Sequence, residues 1–132
     1  MTSEAKILVR TAHPIPFTCA DGTGVEKGTI LKLTDPRTAS ASTAVGDMLA
    51  GIAAKEKIAG DGKTAISAYD DCIAVMYLSG ACAVGKPVVS GGLNLVQEAG
   101  AVSGAAILGY ALETGADGET ILVRVRIGGG SI

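Results

Sequence analysis

The sequence predicts an all-β protein, a small β-barrel or β-sandwich built from two similar halves and preceded by an extended N-terminal arm. Three observations carry this. Period-two alternation recurs along the chain: in residues 121–127, Ile121, Val123, Val125 and Ile127 fall on one face and Leu122, Arg124 and Arg126 on the other, as in a half-buried strand. The chain holds 19 glycines in 132 residues, many in turn-forming pairs such as Asp117-Gly118 that accept positive φ at little cost. One stretch also answers another. Gly51-Ile52-Ala53 matches Gly109-Tyr110-Ala111 at an offset of 58, residues 61–64 match 117–120 at 56, and residues 25–28 match 84–87 at 59. The halves are expected at about residues 25–78 and 84–127.

Taken in order, residues 1–24 read as the arm. Within it residues 6–10 form a short strand, and His13-Pro14-Ile15-Pro16-Phe17 is held extended by two prolines that also remove two backbone donors. Asp21-Gly22-Thr23-Gly24 is a turn or loop. In residues 29–33, Leu31 and Leu33 face one way and Lys32 the other, which predicts a strand. Asp35-Pro36-Arg37 begins a turn, and residues 38–43, all Ala, Ser and Thr, read as a small polar loop. Residues 47–54 and 64–69 are strands, Asp70-Asp71 is a turn, and residues 72–78 are a strongly apolar strand. The second half repeats the scheme, with a strand at 87–89, a turn at 90–92, a short extended piece at 93–96, a loop at 97–104, a strand or a brief helical turn followed by one at 105–113, and a last strand ending at Ile127. The last residues, 128–132, are a flexible tail. Many short strands separated by glycine turns are the pattern of a barrel or sandwich.

Hydrophobic residues make up 48% of the chain, yet there is one Phe, three Tyr and no Trp. The core is therefore thin and made of Ala, Val, Ile and Leu, and burial against further copies adds to it. A net charge of −2, no run of Lys or Arg and few aromatics exclude nucleic acid as the expected partner. The longest apolar runs are too short to cross a bilayer. Glu4 and Lys6 interrupt the region where a signal peptide needs apolar residues, so export by that route is not expected. Cys19, Cys72 and Cys82, an odd number without close spacing, make a poor disulfide framework. The apolar settings of Cys72 and Cys82 predict buried thiols.

No chemical motif survives inspection. Gly62-Lys63-Thr64 invites a phosphate-loop reading, but the glycine required five residues earlier is Lys57, and the matching turn replaces lysine by Glu119. His13, the only histidine, lies near Cys19 and Asp21, a nucleophile–base–orienter set on paper, yet along one proline-bent segment sequence proximity says little about geometry. One His and three scattered Cys do not match zinc spacing. Asp70 and Asp71 are adjacent, hence on opposite faces of a strand, and read as a turn. Arg124 and Arg126 either pair with a partner or line a solvated face. No catalytic, metal or cofactor site is expected.

The segments at residues 25–33, 50–53, 109–113 and 118–125 resemble the small head-decoration, or capsid cement, proteins of tailed viruses, with the likeness spanning about residues 25–127. The resemblance implies a barrel-like, trimeric virion protein of the outer capsid surface. Such a protein binds the major capsid protein and clamps its subunits, with neither nucleic acid nor membrane as partner, and is assembled in the host cytoplasm. The arm carries no family motif. Its residues Ile7, Leu8, Val9, Arg10, His13, Pro14 and Phe17 are inferred to form the capsid or subunit interface, by adding a strand to an exposed sheet edge. Removing residues 1–16 is accordingly expected to leave a folded oligomer that no longer binds shells. Two alternatives stay open. A barrel-sandwich carrier domain would display Lys63 or Lys86 at a hairpin tip and show a lysine modification in intact mass. A small enzyme would show a reactive Cys19 dependent on His13.

Overall fold

The computed structural model describes residues 3–45, 47–92, 94–100 and 106–127; the expected tail at 128–132 lies outside the described residues. The strands are β1 (Lys6–Arg10), β2 (Ile15–Thr18), β3 (Ile30–Asp35), β4 (Thr38–Ala41), β5 (Leu49–Ala53), β6 (Ala65–Tyr69), β7 (Asp71–Tyr77), β8 (Pro87–Ser90), β9 (Val96–Glu98), β10 (Ile107–Ala111) and β11 (Thr120–Arg126). The protein is all-β, and no α-helix occurs among the described residues.

The strands sort into a closed barrel, β2-β4-β3-β5-β6, and a six-stranded sheet, β1-β7-β11-β10-β8-β9. These are two copies of one unit. In the first, β2 pairs with β6, β6 with β5, β5 with β3 and β3 with β4, and a parallel contact of Thr18 with Thr38 closes the ring. In the second, β7, β11, β10, β8 and β9 pair in the same order, and a single parallel bridge, Leu78 to Val96, stands where the first barrel closes.

The copies agree residue by residue. In β5, Gly51 lies opposite Leu31 and Leu49 opposite Lys32, which leaves Ala50 as a bulge. In β10, Gly109 lies opposite Val88 and Ile107 opposite Val89, which leaves Leu108 as the same bulge. The glycine is required at both places because the neighbouring strand comes very close. A Cβ on Gly51 would lie 2.5 Å from the Tyr69 carbonyl oxygen, and one on Gly109 would lie 1.8 Å from that of Arg124. The β3–β4 and β8–β9 hairpins also correspond. Leu33 pairs with Ala39 and Ser90 with Val96, so each loop has the same span. The two non-glycine residues with positive φ among those described, Arg37 (56°) and Asn94 (60°), occupy the same place in their hairpins.

The expected halves need correction. The first copy runs through β2 to β6 and the second through β7 to β11, because β7 follows β6 after the single residue Asp70 and pairs along its length with β11. Nothing in Ile15-Pro16-Phe17-Thr18 resembles the sequence of β7, so the first strand of the repeat is invisible to comparison of segments. Gly51 and Gly109 were matched in the right register. The other two matches slip by two residues, since the backbone bonds Gly28 N–H to Ala53 O and Gly85 N–H to Ala111 O make Gly28 the counterpart of Gly85. Likewise the turns closed by Asp61 N–H to Ile58 O and by Glu119 N–H to Ala116 O make Asp61 the counterpart of Glu119.

The polar stretches 38–43 and 97–104, expected as loops, hold β4 and β9, the same element of the repeat. Residues 38–41, Thr-Ala-Ser-Ala, alternate polar with only small apolar residues, and β9 begins at Val96, in the piece expected as extended; their pairing partners make them strands. Residues 101–105 lie outside the described residues.

The first barrel encloses aliphatic side chains, including Leu31, Ala53, Ile66 and Ala68. A larger core lies under the second sheet, with Met76, Leu108, Val123 and Val125, and Ile30, Leu49 and Ile52 from the outer face of the first barrel pack into it. Polar contacts fix that junction. Asn94 accepts from the Ile30 N–H at 2.7 Å and donates to the carbonyls of Ser3 and Gly28, and Ser42 and Ser90 join hydroxyls at 2.9 Å. Asn94 is buried, so these bonds satisfy backbone groups that water does not reach.

Candidate interaction surface

Of the arm expected at residues 1–24, the described part, residues 3–24, does not stand apart. Strand β1 lies along β7, with Lys6 opposite Val75 and Arg10 opposite Cys72, and β2 is a full member of the first barrel. The interface residues inferred from sequence therefore divide. Ile7 packs against the larger core and Phe17 against the core of the first barrel. Pro14 is half-buried. Leu8 (52% exposed), Val9 (47%), Arg10 and His13 face solvent. Strand β1 is the end of its sheet, so its outer edge carries no strand among the described residues. Deleting residues 1–16 removes a sheet strand and part of a barrel strand, so an intact remnant is no longer the expected outcome.

The outer face of the second sheet is continuous with β1. Cross-strand pairing sets Val9, Ile73, Arg124, Tyr110 and Pro87 side by side over five strands. At about 4.8 Å per strand that row is about 19 Å wide. Tyr110 is 42% exposed, and Pro87 is exposed while Ile73, Leu122 and Arg124 are half-buried. Arg124 is held from one side by Asp71, with Nη2 2.9 Å from Oδ1. Asp71 also accepts from the Thr11 hydroxyl. That hydroxyl bond, then the guanidinium, keep the Asp71 carboxyl below its usual range against the opposing effect of burial. The alternation in β11 made both arginines legible as one face; the Asp71 partner comes from register alone.

Sequence reading passed over Lys57. Its side chain is buried (the residue is 3% exposed), and its Nζ lies 3.0 Å from Asp21 Oδ1, 2.7 Å from Asp61 Oδ1, and within bonding distance of the carbonyls of Asp21 and Ile58. Burial alone would pull the ammonium down, but the carboxylate hydrogen bonds outweigh it and its pKa is raised. Asp61 is held low, first by Lys57 and then by the Lys63 N–H. Asp21 also accepts from the Gly62 N–H, so the cluster ties two turns 36 to 41 residues apart. Only the fold brings them together.

Cys19 is buried in the first barrel and burial pushes its thiol up, whereas His13 is exposed, and no hydrogen bond joins them among the described residues. Cys72 and Cys82 are buried as expected, and burial drives Cys72 up to about 12. Asp47 caps its own loop, accepting from the Ser42 hydroxyl and the N–H groups of Thr43 and Ala44. Lys63 and Lys86 sit exposed at turns. Among the described residues no group of three or more His, Cys, Asp or Glu is placed to hold a metal ion.

No protein-family model matches the chain, and no curated protein sequence is similar to it. Among solved structures, it is similar to the N base of the head fiber gp8.5 of bacteriophage phi29, with a TM-score of 0.57 and 18% identity, covering 86% of this chain and 94% of that one. The two share a fold.

Proposed function

We propose that this protein is a structural component of a tailed-phage virion, a homotrimer without catalytic activity that binds the outside of the icosahedral shell and strengthens contacts between major capsid subunits. The observation that carries the reading is the fold itself. That fold matches, over 86% of this chain and 94% of the other, a protein described as the N base of a phage head fiber. The exposure of His13, with no hydrogen bond to the buried Cys19 among the described residues, and the raised thiol of Cys19 support a non-catalytic role.

The capsid contact is assigned to the outer edge of β1. That edge presents backbone donors and acceptors to a partner strand, flanked by exposed Leu8, Val9 and Arg10. A trimer offers several such edges at once, and linked weak contacts give high avidity. The test is electron microscopy and co-sedimentation of purified protein with expanded shells of a tailed phage. Binding to the shell exterior is expected, with loss of binding in Leu8→Asp/Val9→Asp and retention of its circular dichroism spectrum. Absence of the protein from shells at saturating concentration overturns the reading.

A further inference from the structure

In the first barrel the cross-strand row Ile30, Ile52 and Tyr69 lies under core side chains of the second half, Met76, Leu108 and Val123 among them. Its counterpart in the second half, Pro87, Tyr110 and Arg124, belongs to the open outer face of the second sheet, where Tyr110 is 42% exposed. That face is polarised along its strands. Its middle is apolar, with Ile73, Val75, Leu112, Leu122 and Tyr110 on adjoining strands. At one end Arg10, Arg124 and Arg126 outnumber Asp70 and Asp71. Arg10 and Arg126 are exposed there and make no ion pair among the described residues. At the other end Glu113, Asp117 and Glu119, all exposed, outnumber Lys86. Glu113 accepts from the Leu122 N–H at 2.7 Å and Asp117 from the Gly80 N–H at 2.8 Å, which holds both carboxylates where β7 ends and β11 begins. The two ends are separated by the length of β11, about 20 Å.

We infer that copies of this chain associate through this outer face, the Arg126 end of one copy set against the Glu119 end of the next. Both sides of the contact are present on one chain, and opposite charge brings unlike ends together while like ends repel, so charge sets the direction of docking. The apolar middle supplies the area removed from water, with a tyrosine and an arginine, residue types that anchor interfaces, at its centre. A net charge of −2 leaves little overall repulsion between copies. The face measures about 19 Å by about 20 Å, roughly 400 Å², which is about half of one side of a standard interface. A contact of that size dissociates on dilution, and a closed ring, in which each copy is held at both ends, strengthens it. The contact rests on the oligomeric part of the reading above and is independent of capsid binding.

Sedimentation velocity of the purified full chain over a range of concentration and salt tests it. A reversible oligomer is expected, weaker in 500 mM than in 50 mM salt. Arg126→Glu should raise its dissociation constant about 10-fold through like-charge contact, and Arg126→Glu/Glu119→Arg should recover most of that loss. Tyr110→Asp, in the apolar middle, should raise it about 30-fold, as loss of an interface hot spot does. Arg126 and Tyr110 are exposed, so the circular dichroism spectra of the single variants stay unchanged. A monomeric wild type, an oligomer indifferent to Tyr110→Asp, or a double variant no tighter than Arg126→Glu overturns the contact. A monomer that still decorates shells overturns it while leaving the capsid reading intact, whereas a charge-dependent dimer supports the contact and overturns the trimer.

Discussion

The two halves close the same turn by opposite means. In the first, Val25 and Lys57 form a two-residue bridge, and the Lys57 ammonium runs inward to Asp21 and Asp61. In the second, Cys82 bridges Gly115, which has no side chain. A Cβ there would meet Ile121 Cγ2 at 2.6 Å and Leu78 Cδ1 at 2.9 Å. Apolar packing occupies the space that an ion cluster fills in the first barrel. The backbone pattern is common to both; the stuffing of the turn is free to vary provided every buried polar group finds a partner. The first barrel thereby acquires a dependence on acid that the second lacks at this turn. The second pays in packing tolerance.

The largest effect should come from the glycines common to both halves. Gly109→Ala and Gly51→Ala force a Cβ into backbone, and each is expected to cost about 3 kcal/mol or more, read as a fall in the urea midpoint. Equal damage at both sites would support the register equivalence; a harmless Gly51→Ala would break it. Next is the paired hairpin position. Asn94→Ala strips three hydrogen bonds from the junction of the halves and should cost about 2 kcal/mol. Arg37→Gly, at the matching place, relieves a left-handed arginine and should instead stabilise by about 0.5–1 kcal/mol.

The response to pH separates the halves further. Asp61 is depressed when folded, so its contribution is present above the ordinary carboxylate range, about pH 4, and is lost as pH falls through its folded value. Lys57 is raised, so its contribution is complete below the ordinary lysine value of 10.5 and fades above it. Lys57→Met should therefore flatten the acid limb of a plot of melting temperature against pH. Asp71, depressed by Thr11 and Arg124, gives the second half an acid limb of its own. Cys72 is the alkaline counterpart. Its thiol moves from 9.0 to about 12 on burial, so stability is lost as pH rises from 9 to 12. Cys72→Ala should remove most of that decline, the smallest change of the set below pH 9.

Much of this was legible in the chain. Alternation in β11 placed its inward residues, and the glycine of Gly51-Ile52-Ala53 and Gly109-Tyr110-Ala111 marked the close strand crossing in each half. Part of what escaped reading is common to both halves. Strands β4 and β9 are short and polar, and they exist because β3 and β8 present ladders to pair with. Strands β1 and β2 looked like an arm because two prolines punctuate them, yet a proline at a barrel margin costs little when its missing donor faces outward. Lys57 carries no local signal, since Asp21, one of its two carboxylate partners, stands 36 residues away.

The chain alone determined the class of structure and its doubling, because strand alternation and glycine turns are local properties that survive without any fold around them. Folding decided which repeat each strand belongs to, which carboxylates surround Lys57, and which copy of a shared face is covered while the other, at Tyr110, stays open. Those are matters of register between segments far apart in sequence, and register is set by backbone hydrogen bonds and burial that no single segment contains.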